Sequence, residues 1–178
     1  MSAHPDIAVL QEATRAVVNT CATHMGLALA VEANPGDPRT ADVQYGSSIA
    51  LTADDGSGWH LAVMGDTQSC QKLTRILFAM EAHEEPAMED LADGIGGIAN
   101  VAAGVFRSRR VAAGERVQNG LPRFMHGRSC AEFFGSDLQG LSQSLSGPDG
   151  IRLHVVIIWQ EDALLPSPCA PARRSSPR

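Results

Sequence analysis

The sequence predicts a single α/β (α+β) domain in which helices are combined with antiparallel strands. Three observations predict it. Apolar residues recur at three and four residues between Ile7 and Cys21, Val43 to Leu51 alternate with more polar neighbours, and Val155–Ile158 is apolar on both sides of a strand. The chain has 178 residues, the length of one compact unit with a sizeable core. With 44% hydrophobic and 19% charged residues it is neither disordered nor fibrous in composition. The expected boundaries are one domain over 1–162 and a disordered Pro/Ser/Arg tail over 163–178.

Taken in order, Asp6 to His24 reads as a helix with one buried stripe, carried by Ile7, Leu10, Ala13, Ala16, Val17, Thr20 and Cys21 and ended by Gly26. Leu27–Val31 reads as extended, stopping in the loop Asn34-Pro35-Gly36-Asp37-Pro38. Val43, Tyr45, Ser47, Ile49 and Leu51 form one side of a strand. Asp54-Asp55-Gly56-Ser57-Gly58 turns it into a partner over Trp59–Met64, giving an antiparallel hairpin. Asp66 can cap a second helix, Thr67 to about Met80, burying Cys70, Leu73, Ile76 and Leu77.

A third helix is expected after Pro86, which suits a first helical turn, and it continues to about Arg107. Six acids between Glu81 and Asp93 precede or open it, where the helix dipole favours negative charge. Arg107, Arg109, Arg110, Arg116, Arg123 and Arg128 follow against the single acid Glu115. Such runs are ordinarily solvated faces, and this polarity can also orient a partner. Phe124–His126 and Cys130–Phe134 read as extended, and Gly150–Gln160 as a central strand covered on both faces.

Composition also excludes function classes. A net charge of -6 and only two Trp, one Tyr and five Phe argue against nucleic acid, which needs a basic surface and stacking aromatics. No apolar run approaches a membrane span and the N-terminus lacks a signal-peptide pattern, so the expected compartment is the cytoplasm, with no membrane partner. Cys21, Cys70, Cys130 and Cys169 form no C-x-x-C pair and read as reduced packing residues. The six histidines show no metal-ligand spacing, so no metal site is expected.

The chemistry concentrates on the third helix. On a wheel of about 100° per residue, Leu91, Ile95, Ile98, Ala102, Val105 and Phe106 form the buried stripe. Asn100 lies opposite, with Asp93, Gly96, Gly97, Gly104 and Arg107 within about 60° of it. Each mid-helix glycine costs roughly 0.5–1 kcal/mol relative to Ala, so Gly94, Gly96, Gly97 and Gly104 require an offset. Two offsets fit: close packing of another element, or clearance for a partner to approach Asn100. An amide so presented can orient a water without titrating; an exposed mid-helix Asn can equally be unremarkable surface. Gly94-Ile95-Gly96-Gly97 is not a nucleotide loop, since no strand precedes it and no Lys-Ser/Thr follows. No nucleophile–base pair supports a small-molecule enzyme.

The stretch Asp93-Gly94-Ile95-Gly96-Gly97-Ile98-Ala99-Asn100-Val101-Ala102-Ala103-Gly104, followed by Gly120-Leu121-Pro122 and Gly127, resembles the signature helix and loop of the CheX branch of the CheC/CheX/FliY phosphatases. More weakly, the resemblance extends to the first helix and the closing strand, up to about Asp162. It implies long helices packed on a mainly antiparallel sheet, often as a homodimer, and a partner that is the phosphorylated aspartate of a CheY-like response regulator. It implies no cofactor on this chain, any Mg2+ being supplied by that regulator. In that family a Glu-x-x-Asn pair enters the regulator's active site, the amide positioning the attacking water and the Glu engaging the regulator's Lys. By that resemblance Asn100 matches the catalytic amide, Asp93 the acid two turns earlier, and Pro122 the downstream proline. The implied docking face comprises Asp93, Gly96, Gly97, Gly104, Arg107 and Pro122. The Glu position is Gly97. Asp93 is about 10 Å from Asn100 along the axis, too far to replace a carboxylate one turn away. Phosphatase activity is therefore expected to be weak, altered or absent, the last leaving a non-catalytic adaptor or dimerisation module.

Overall fold

The computed structural model describes residues 7–32, 35–54, 56–135 and 139–159. The expected tail over 163–178, with Cys169, lies outside them, as do Asp6, Asn34 and Asp55. Helix α1 spans Ile7–Met25 and buries Leu10, Ala13, Ala16, Val17, Thr20 and Cys21, the predicted stripe less Ile7, which is exposed, together with Val9 and Thr14. Of the expected extended run only Ala30–Val31 forms a strand, β1. A single 3-10 turn, Pro38–Thr40, capped by the Asp37 carboxylate, interrupts the loop that follows.

The hairpin is present as β2 (Tyr45–Ala53) and β3 (Gly58–Gly65), paired from Tyr45 with Gly65 to Thr52 with Gly58. Helix α2 covers Thr67–Leu77, and Asp66 caps it by accepting from the Ser69 amide at 2.7 Å. Its buried side is Ser69, Cys70, Leu73 and Thr74, whereas Ile76 is 42% exposed and Leu77 half-buried. The helix ends before Met80 because Ala79 adopts φ 51° and closes the C-terminal turn. Helix α3 is Met88–Ala112, with Pro86 lying just outside it, ahead of the cap residue Ala87.

Strands β4 (Val117–Asn119) and β5 (Arg123–His126) both pair with β2, at Leu51–Ala53 and Tyr45–Ser48 respectively. Cys130–Phe134, expected to be extended, instead belongs to a short helix, α4, over Arg128–Phe133. The cause is local. Gly127 at φ 51° turns the chain out of β5, and the Ser129 hydroxyl bridges the amide and carbonyl of His126 at 2.8 Å each. Strand β6 (Gln139–Ser146) was not apparent from periodicity; β7 (Arg152–Trp159) is the predicted closing strand.

All strand pairs are antiparallel, in the order β1-β6-β7-β3-β2-β4, with β5 beside β4 along β2. Alternation along β3 and β7 separates two cores. Leu61, Val63, Val155 and Ile157 face α1 and α3, where Phe106, Ala102 and Val17 are buried with them. Ala62, Met64, Val156 and Ile158 face Met125, Cys130 and Phe133 on the other side. This is the doubly covered central strand read from Val155–Ile158. Helices α1 and α3 run antiparallel: Glu12 in the second turn of α1 meets Arg110 in the last turn of α3 at 3.5 Å. Cys21, Cys70 and Cys130 are free and buried, and desolvation pushes their thiols up to about 11, 12 and 11. Among the described residues no helix is long and apolar enough to cross a membrane.

Candidate functional site

Helix α3 begins with one half of a capping box, since the cap residue Ala87 has no side-chain acceptor. The Asp90 carboxylate accepts from the Ala87 amide at 2.8 Å, and Glu89 and Asp90 sit in the first turn against the positive end of the helix dipole. The Glu84 carboxylate similarly accepts from the Glu81 amide at 3.0 Å. Much of the acidic run is thus local capping. In the basic run, Arg110 pairs with Glu12 and Glu115, Arg116 with Asp54, and Arg128 with Glu132. Among the described residues Arg107, Arg109 and Arg123 make no ion pair, and Arg107 is exposed on the Asn100 face.

The four glycines of α3 separate by environment. Gly94 is a packing glycine, because a Cβ there would lie 3.0 Å from Thr74 Oγ1 on α2. Gly96 is buried beneath Pro122, where a Cβ would be 3.8 Å from the proline ring and 3.9 Å from the Ser47 hydroxyl. Gly97 and Gly104 face open space, with nothing within 4 Å of the missing Cβ. The first of the two offsets read from the sequence, close packing, is thus present at Gly94. Packing explains Gly94, and clearance is what remains for Gly97 and Gly104.

Asn100 is exposed between these two open positions, one turn from each, and no hydrogen bond to another described residue holds its amide. Asp93 is exposed on the same face. Pro122 is brought there by the short loop between β4 and β5, which the Gly120 amide anchors to the Ala50 carbonyl at 2.8 Å. The predicted residues Asp93, Gly96, Gly97, Asn100 and Pro122 line one hollow of about 320 Å³. Gly104 and Arg107 lie further along the helix, on a shallower depression with Val101 and Arg109.

Sequence reasoning missed Ser47, Ala92 and Phe124, which complete the hollow. Phe124 stacks on Tyr45 with ring centroids 6.2 Å apart, over the small core of Cys70, Leu91 and Ile95. Ser47 is 0% exposed and its hydroxyl makes no hydrogen bond. A signal for it was visible, since it is the one small polar residue in the alternation Val43, Tyr45, Ser47, Ile49, Leu51. A buried unpaired hydroxyl costs about 1–3 kcal/mol, which a bound donor or acceptor would recover.

No protein-family model matches the sequence, and no curated protein matches it by sequence. Solved structures do match its shape. A CheC-like superfamily protein from Shewanella sp. PV-4 superposes with a TM-score of 0.73 at 14% identity, covering 88% of this chain and 99% of that one. CheX in the CheX–CheY–BeF3–Mg2+ complex from Borrelia burgdorferi gives 0.70 at 17% identity, covering 88% and 100%. The chemotaxis protein CheX from Desulfovibrio desulfuricans gives 0.68 at 13% identity, covering 86% and 99%. The expected architecture of helices on a mainly antiparallel sheet is therefore present, and the chain has the fold of the CheC/CheX proteins.

Proposed function

We propose that the chain is a CheX-like signalling protein that docks a phosphorylated CheY-like response regulator on the Asp93–Arg107 face of α3. The observation that carries this reading is the unengaged amide of Asn100, presented between two glycines that leave the helix surface clear. The fold supports it, because a CheX of the same architecture is known in complex with CheY. In this reading Asn100 orients a water for attack on the aspartyl phosphate, donating and accepting hydrogen bonds without changing charge. Any Mg2+ belongs to the regulator. Gly97 stands where a carboxylate would hold the regulator's lysine, so the contribution of that contact to docking and to the transition state is reduced.

The deciding experiment mixes the protein with phosphorylated receiver domains and follows phosphate release. Acceleration over autodephosphorylation that disappears in Asn100→Ala establishes catalysis. Saturable binding without acceleration identifies a non-catalytic adaptor, the reading that Gly97 itself favours. If no receiver from the same source binds, the docking assignment is wrong.

A further inference from the structure

The outward face of α3 repeats at alternating steps of four and three residues, through Asp93, Gly97, Asn100, Gly104, Arg107 and Val111. That spacing keeps a stripe aligned against a second helix over several turns. Its charges are symmetric about Asn100. Asp93 lies two turns before the amide and Arg107 two turns after it, each about 10 Å away along the axis. Both are exposed, and neither makes an ion pair with any described residue. Between them the stripe is glycine apart from Asn100, with nothing within 4 Å of the Cβ missing from Gly97 or Gly104. The hollow at the Asp93 end contains a further unpaired group. The Ser47 hydroxyl is 0% exposed, makes no hydrogen bond and lies beneath Gly96. Among the described residues no Lys or Arg lines that hollow.

From this self-complementary pattern we infer that α3 pairs with the α3 of a second copy of the chain, antiparallel, about a two-fold axis at Asn100. Such an axis sets Asp93 of each copy opposite Arg107 of the other, so that one contact forms twice. Each Arg107 guanidinium enters the other copy's hollow. There Asp93 accepts it, the Phe124 ring offers a face to stack on, and the Ser47 hydroxyl takes a remaining N–H. The two Asn100 amides, each a donor and an acceptor, meet at the axis. Gly97 and Gly104 let the helix axes approach to about 8 Å, a reason for these glycines that packing within one chain does not supply. A parallel pair is disfavoured by the same charges, since it would set Asp93 against Asp93 and Arg107 against Arg107. The unpaired carboxylate and the buried hydroxyl are independent of the small-residue stripe, and both call for a cationic donor that this chain carries at the matching distance. The face covered in this way is the one assigned above to the receiver, so self-association withholds Asn100 from docking. That consequence rests on the docking reading; the pairing does not.

Sedimentation equilibrium of the whole chain tests the pairing. One ion pair formed twice over a narrow helix contact predicts a weak dimer, with a Kd of about 10–100 μM that rises with salt. Asp93→Arg and Arg107→Asp should each weaken it at least ten-fold, because each sets like charges together at both contacts. An equimolar mixture of the two variants should associate to within about three-fold of wild type, since every contact in the mixed pair again joins opposite charges. That recovery also separates lost pairing from lost folding. If the chain stays monomeric at about 1 mM, if the dimer survives either substitution within two-fold, or if the mixture does not associate, the pairing is refuted. A beryllofluoride-activated receiver domain with Mg2+ is then added to the wild-type dimer. Conversion to a complex of one chain with one receiver supports the shared face, and a receiver bound to the intact dimer overturns it. If no receiver binds, the docking reading fails, and the pairing, measured without a receiver, stands.

Discussion

Thr74 Oγ1 stands 3.0 Å from where a Cβ on Gly94 would lie, so α2 and α3 meet at a point where even a methyl group on α3 would require Thr74 to give way. Under one turn and nearly three turns further along the same helix, Gly97 and Gly104 have nothing within 4 Å of the missing Cβ. The contrast makes opposite predictions for one substitution. Gly94→Ala should destabilise the fold by about 1–3 kcal/mol through overpacking. Gly97→Ala and Gly104→Ala should each stabilise it by about 0.5–1 kcal/mol through helix propensity alone. Urea titrations of the three variants decide it, and a loss of stability in Gly97→Ala would overturn the open-face assignment.

Arg110 ties the two long helices together at their far ends. Its guanidinium is within 3.5 Å of Glu12 and 3.0 Å of Glu115, and it lies 5.3 Å from the centroid of Phe106 and 5.7 Å from that of Trp59. The side chain is largely withdrawn from solvent, so stacking and packing add to the ion pairs. Arg110→Ala should cost about 1–3 kcal/mol, and Arg110→Lys should recover less than half of that because an ammonium lacks the planar stacking face. Equilibrium unfolding followed by tryptophan fluorescence measures both, Trp59 reporting the loss directly.

The three buried thiols make stability fall in alkali. Cys21, Cys70 and Cys130 are raised from 9.0 to about 11, 12 and 11, chiefly by desolvation. Above the unfolded value of 9.0 the unfolded chain sheds protons that the folded chain retains, so the unfolded state gains and unfolding free energy declines with pH. The stabilisation is intact below pH 9 and is lost progressively between about pH 9 and 12, at up to about 1.4 kcal/mol per thiol per pH unit. In a Cys169→Ser background, the chain should also resist a thiol reagent at pH 8 until urea unfolds it. Rapid labelling of the folded protein would contradict the burial of these side chains.

The sequence was most legible where a periodic pattern meets one environment. The stripe Leu91, Ile95, Ile98, Ala102 and Phe106 is buried as its spacing implies, and Val155–Ile158 is covered on both faces. Strand β6 was illegible because Gln139, Ser142, Gln143 and Ser144 carry no apolar alternation; its extended form depends on pairing with β7. Cys130–Phe134 is a short apolar run, which suits a helix or a strand equally, and the Gly127 turn decides between them. Within the site, the helical period placed Asp93, Gly97 and Asn100 on one face over two turns without tertiary information. Ser47 lies 49 residues before Gly96 and joins them only through the packing of β2 under α3.

Gly97→Glu tests what the glycine removes. Nothing lies within 4 Å of the missing Cβ, so a glutamate fits on the surface of α3 without displacing any side chain. It would stand one turn before Asn100, on the same face. If Asn100 positions the water, phosphate release from a bound receiver should rise at least ten-fold, which corresponds to about 1.4 kcal/mol of transition-state stabilisation. Asn100→Ala should abolish the gain. An unchanged rate in Gly97→Glu would leave the chain a binding module whose amide takes no part in hydrolysis.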